Sequence, residues 1–192
     1  MPINVRSSTI PELSMSMTRT TLLAMSLTFS SAPVLSQHQH AHTASPYAGH
    51  ERRAVKAFSD QQIADLRAGR GMGYALAAEL NSYPGPSHVL ELRERLGLTE
   101  AQQNRIQDLF DAMTAETIPI GERLIAQEIE LDRQFSGRTV TIAGITDMAS
   151  VIAGTQAALR AAHLRYHLAT TAVLTLEQVR QYGELRGYSR AE

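Results

Sequence analysis

His163 and His167 stand four residues apart. On a helix that spacing puts both imidazoles on one face, where they can serve as two of the ligands of a divalent ion. Two ligands do not complete a site, and the same spacing suits two histidines packed along an apolar stripe beside Leu159 and Tyr166, so both readings stand. A second set alternates in Gln37-His38-Gln39-His40-Ala41-His42. Imidazoles at His38, His40 and His42 suit copper, zinc or nickel, and the tract is equally compatible with a solvated linker. His88 and Glu91 also share a helix face. The additional Glu-x-x-His pairs of a carboxylate-bridged two-metal bundle are missing, so this pair reads as surface. None of these arrangements requires a cofactor; a divalent metal (Cu, Zn or Ni) is the one they allow.

Catalytic chemistry finds less support. The 192-residue chain contains no Cys, which removes disulfides, thiolate metal sites and Cys nucleophiles together. It carries no Gly-x-Ser-x-Gly elbow, no His-Glu-x-x-His and no Gly-x-x-x-x-Gly-Lys, and Gly69-x-Gly71-x-Gly73 lacks the preceding strand of a nucleotide fingerprint. A non-enzymatic protein is expected. The formal net charge is -1, and no block of like charge occurs, so the electrostatic footprint of a nucleic-acid binder is absent.

The amino terminus reads as an export signal. Arg19 precedes the short apolar run Thr21 to Phe29, and Ser30-Ser31-Ala32-Pro33-Val34-Leu35-Ser36 ends in small residues suited to cleavage near Ser36. The run is too short for a bilayer-spanning helix, and no later segment reads as long and apolar enough, so no membrane span is expected after cleavage. Losing residues 1–36 removes Arg6, Arg19 and Glu12 and leaves the remainder near neutral. Residues 37–48 form the histidine-containing tail, expected to be flexible, and 49–192 a single helical domain. Within it, 49–97 should hold short helices and 98–188 a long hairpin plus a final helix.

The elements behind that division follow from caps and periodicity. Ser59 with Gln62, flanked by Phe58 and Ile63, predicts a short helix running to about Gly69. A second short helix spans Tyr74 to Leu80 and is closed by Tyr83-Pro84-Gly85-Pro86. Ser87 is expected to cap a third, His88 to Leu96, which Gly97 ends in the left-handed conformation. Apolar residues at three- and four-residue steps then run from Thr99 to about Phe135, with Pro119 expected to kink the helix. After Ser136-Gly137-Arg138, Thr141 caps a second long helix with the stripe Ile145, Met148, Ile152, Leu159, Tyr166 and Val173. The two should lie antiparallel, and a last helix starts at Thr175. The fold class is therefore all-α, a long helical hairpin with short flanking helices.

Leu98-Thr99-Glu100-Ala101-Gln102 and Leu174-Thr175-Leu176-Glu177-Gln178 repeat one pattern, Leu-Thr-x-x-Gln. In each, the threonine hydroxyl can accept from a first-turn amide while the glutamine reaches back to the threonine amide, so each copy starts a helix. In an exported helical chain without cysteine, the two copies resemble the LTxxQ family of periplasmic proteins, which includes the chaperones Spy and CpxP and the zinc-resistance-associated protein ZraP. The resemblance covers about Val89 to Tyr188. Gly71-Met72-Gly73 through Tyr83-Pro84-Gly85-Pro86, and Tyr182-Gly183-Glu184-Leu185-Arg186-Gly187-Tyr188, look like a metal-resistance-labelled subgroup.

That resemblance implies a periplasmic, curved homodimer of helical hairpins that binds unfolded envelope proteins without ATP, or a membrane sensor domain. It also implies an alternative, a heavy-metal binding or sensing protein, because related sensors place paired ligands four residues apart on a helix. A near-neutral chain departs from a strongly basic client cradle. Client binding should then lean on apolar surface such as Met113, Ile118 and Ile120, residues equally suited to a dimer core. A dimeric scaffold that binds neither clients nor metal is the remaining alternative.

Overall fold

Hydroxyl caps set four of the six α-helix starts in the computed structural model of the chain, which describes residues 45–188. The leader and the tail histidines His38, His40 and His42 lie outside the described residues. Among the described residues a 3-10 turn at His50–Arg52 is followed by six α-helices and no strand. The all-α expectation holds there.

Helix α1 (Asp60–Arg67) starts at Ser59, whose hydroxyl accepts from the Gln62 amide while the Gln62 side chain accepts from the Ser59 amide. Phe58 and Ile63, flanking the cap, are both buried. Helix α2 (Leu76–Glu79) is a single turn. Helix α3 (Pro86–Glu91) corrects the sequence reading: Gly85 is the cap, not Ser87, because Pro86 takes the first helical position, where its missing amide costs nothing and its fixed φ already matches the helix. It also stops at Glu91, and the chain reaches Leu96 through turns. Gly97 then takes the expected left-handed conformation with φ 58°, and the Leu98 amide closes the turn on the Arg93 carbonyl at 3.1 Å.

Helix α4 (Glu100–Ser136) runs unbroken through Pro119 for 37 residues, about 55 Å at the usual rise. Pro119 lies on the exposed side, and Ala115, whose carbonyl loses its amide partner, is an exposed residue too. Helix α5 (Ile142–Thr171) begins at Thr141, whose hydroxyl accepts from the Gly144 amide at 3.1 Å. Helix α6 (Leu176–Arg186) follows a short turn. Side-chain pairs fix how α4 and α5 run. Near mid-helix Glu116 meets Arg165 and Tyr166, while at the start of α4 Gln102 donates to the Val173 carbonyl beyond the end of α5. The two helices therefore pack with opposite directions.

Two apolar clusters result. One joins α1 to the middle of α4 and α5 through Leu66, Leu124, Ile125, Ile152 and Leu159; the other joins α3 and α6 to the start of α4 through Val89, Leu96, Leu98, Ile106 and Tyr182. Helix α1 crosses α4 at Gly121, where a β-carbon would stand 2.7 Å from the Leu66 carbonyl oxygen. A side chain there would hold the helices apart.

Three further expectations are corrected. Met113 is buried, 6% exposed, and Ile118 and Ile120 are half-buried, because α1, α3 and the segment between α1 and α2 cover that face of α4. The apolar stripe of α5 does not extend to Ile145, which is 37% exposed; the buried face runs from Ile152 through Thr155, Leu159 and His163 to Thr170, where α4 and the short helices reach it. Finally, α5 is long and apolar enough to cross a membrane by length and composition, with only 17% of its most apolar stretch buried. Alanines between widely spaced charges give it that character without the unbroken run of large apolar residues that the sequence reading looked for.

Candidate functional site

The two Leu-Thr-x-x-Gln motifs meet. Both are full capping boxes: Thr99 and Thr175 each accept from the amide of their glutamine, and each glutamine oxygen accepts from the threonine amide, at 3.0 Å and 2.9 Å. The glutamines also bond to each other. Gln102 Nε2 donates to Gln178 Oε1 at 2.8 Å, and Gln178 Nε2 donates to Gln102 Oε1 at 3.1 Å. Their remaining N–H groups donate to the Val173 carbonyl at 3.0 Å and the Leu96 carbonyl at 3.3 Å. Each amide thus uses both hydrogens, and each oxygen accepts from a backbone amide and from the other glutamine, which fills the capacity of the group. Gln178 is buried, and a satisfied buried network of this kind holds one arrangement of α3, α4 and α6.

One turn beyond Gln178 on α6 lies Tyr182, 1% exposed, whose hydroxyl donates to Glu79 Oε1 on α2. Burial foremost, then the bond to the carboxylate, pushes the Tyr182 phenol far above its ordinary value. Tyr188 donates to the same oxygen at 3.2 Å, and Arg186 Nε stands 3.8 Å away. Glu79 is buried, and its other oxygen, Oε2, has no hydrogen-bond partner; the nearest cationic candidate is His167 Nδ1 at 3.7 Å. The nitrogen is committed elsewhere, to the Tyr83 carbonyl at 2.6 Å. Since a carbonyl only accepts, Nδ1 carries the proton, and Nε2 of a neutral ring keeps its lone pair.

His163 and His167 therefore do share a face, and that face is buried. The His163 ring lies parallel to Tyr74 with centroids 6.4 Å apart, and its Nε2 is buried without a partner. Desolvation, then the neighbouring His167, holds the His163 pKa down to about 4, so the ring is neutral at pH 7. The glycine-bearing segments noted in the sequence are what covers the pair. Gly71 packs on His163, and a β-carbon on Gly85 would sit 2.7 Å from His167 Nε2. Among the described residues no three His, Cys, Asp or Glu side chains converge closely enough to hold a metal ion.

Two cavities adjoin this centre. The smaller, about 160 Å³, is lined by Glu79, His88 and His167 together with Gly71, Met72 and Gly73. The larger, about 500 Å³, shares Gly71, Met72 and His88 and extends to Phe110 and Met113 on α4. His88, read from sequence as surface, is half exposed and bonded through Nδ1 to Glu91 at 3.1 Å, yet its ring reaches both cavities.

Sequence reasoning missed Glu79, Tyr182, Tyr188 and Arg186 as a unit. Nothing local marks Glu79, and the only available signal was the conspicuous Tyr-x-x-x-Arg-x-Tyr ending, whose partner lies more than a hundred residues earlier. No protein-family model matches the chain, and no curated protein or solved structure is similar to it.

Proposed function

We infer that this is an exported, non-enzymatic helical protein of the LTxxQ kind, a dimeric hairpin that holds unfolded envelope proteins or a sensor partner in the periplasm without ATP. One observation carries the reading. Large apolar side chains stay uncovered around the α4–α5 turn, with Phe135 at 53% and Ile142 at 82% exposure, and Ile129 and Val151 add to the same end of the helices. Exposed apolar side chains gathered at one end of a helix pair commonly mark an interaction site. Client contact accordingly moves from Met113, Ile118 and Ile120 to this end. The near-neutral charge fits contact driven by apolar burial more than by electrostatic steering. The test is suppression of aggregation of a chemically denatured client by the full chain at near-stoichiometric amounts, with light scattering for the dimer; no suppression at several-fold excess sinks the reading.

A second reading, binding of Cu, Zn or Ni, is favoured by the unpartnered Nε2 of His163 and the free lone pair on His167 Nε2, one helical turn apart. Such a site would need further ligands, from a moved side chain or from His38, His40 and His42. Calorimetry with each metal on the native chain and on His163→Ala/His167→Ala decides it: unchanged binding removes the helical histidines from the site.

A further inference from the structure

The buried centre has one unanswered group, and the cavity beside it has a definite chemical character. Glu79 Oε1 is supplied by Tyr182, Tyr188 and Arg186, whereas Oε2 is buried without any donor. A desolvated carboxylate oxygen left so costs free energy, which a donor entering the adjoining cavity would recover. At the smaller cavity His167 donates only through Nδ1, to Tyr83, and His88 is held through Nδ1 by Glu91. The one cationic side chain lining the larger cavity, Arg70, holds Asp65 through Nε at 2.6 Å. The carboxylates Asp65, Glu79 and Glu91 line the two cavities against that single paired guanidinium, so the cleft favours a cation over an anion.

The shape narrows the class further. The smaller cavity, about 160 Å³, has room for a small head group, while the larger, about 500 Å³, presents Met72, Phe110 and Met113. Met72 stands where the two join, with a left-handed φ of 45°, a strained conformation for a residue other than glycine. We propose that this cleft binds a linear primary alkylamine, its ammonium group donating to Glu79 Oε2 from the smaller cavity and its chain lying against Met72, Phe110 and Met113. Ammonium brings a positive charge and three donors to a cleft lined by carboxylates, and the flexible thioethers and the Phe110 ring suit an unbranched chain.

The probe is n-hexylamine, titrated into the full-length protein by calorimetry, with hexan-1-ol and hexanoate as neutral and anionic counterparts. Saturable binding of hexylamine alone is expected, weakened about tenfold or more, ~1.4 kcal/mol, by Glu79→Gln. Because Tyr182 and Tyr188 rest on Glu79, that variant can loosen the fold, so Met72→Lys provides the second arm. It tethers an ammonium at the junction of the cavities and should abolish hexylamine binding while raising the thermal midpoint. Equal binding of hexan-1-ol, no saturable binding of hexylamine, or binding undiminished in both variants would overturn the proposal, as would zinc saturating a site lost in Glu79→Gln while hexylamine leaves the protein unchanged.

Discussion

Gln102 and Gln178 occupy the third helical position of their caps, where glutamate serves as well as glutamine when only the cap matters. The reciprocal bond between them removes that equivalence. A carboxylate at either position has no hydrogen to donate and would face the partner's Oε1, so the interaction that joins the motifs becomes a repulsion. Gln102→Glu is expected to lower stability by about 2–4 kcal/mol, more than Gln102→Ala, in urea unfolding followed by circular dichroism; glutamate as stable as glutamine would show that the clasp contributes nothing beyond its caps. His163 makes a second residue-level prediction. Its folded pKa of about 4 lies below the unfolded value near 6.5, so between those pH values the unfolded chain binds the extra proton. Stability should thus fall by roughly 3 kcal/mol as pH drops from about 6.5 to about 4, with no contribution from this group at higher pH. His163→Phe should flatten that slope in pH-dependent thermal melts. The caps at Thr99 and Thr175 are legible because a capping box is local. The clasp is not, because its halves are 76 residues apart and only packing brings them together.

At the scale of elements, the short helices are defined by where they lie on the long ones. Helix α1 has two turns and could not persist alone, since isolated helices so short are marginal in water. It is held by burying Ile63 and Leu66 against α4 at a crossing that Gly121 permits. Gly121→Val is expected to cost about 1–3 kcal/mol by overpacking against the Leu66 carbonyl, and to speed hydrogen exchange in residues 59–68 more than in α6, a difference readable by mass spectrometry. The sequence reading treated Pro119 as the feature of this part of α4. Yet Pro119 faces solvent and leaves the helix unbroken, whereas Gly121, two residues on, governs the packing. Periodicity identified α4 as a helix but could not say which of its faces the amino-terminal segment would cover, and so Met113 was expected at a surface where it is buried. The start of α3 was misread for a local reason, a serine preferred as cap beside a Gly-Pro pair that performs the same task through backbone geometry.

At the scale of the whole molecule, the two ends of the α4–α5 pair differ in what closes them. The end bearing both motifs is closed by α3 and α6 and carries the clasp, Glu79 and the cavities; the end at the Gly137 turn leaves Phe135 and Ile142 uncovered. Ile142→Glu combined with Phe135→Ser should leave the unfolding free energy within about 0.5 kcal/mol of the native protein, since both side chains are more exposed than buried, while reducing self-association in light scattering and suppression of client aggregation. Retained suppression would put client contact elsewhere on the chain. From residue order alone came the helical class, the caps at Ser59, Thr99, Thr141 and Thr175, the left-handed turn at Gly97, and the placing of His163 and His167 on one face. These depend on spacing along one helix and on hydrogen bonds within a few residues. Tertiary structure alone decided that the face is buried, that the two glutamines bond to one another, that Glu79 meets Tyr182, and which apolar residues remain exposed. Each of those outcomes depends on surfaces far apart in the chain competing for burial, and no local pattern of residues encodes which of them meet.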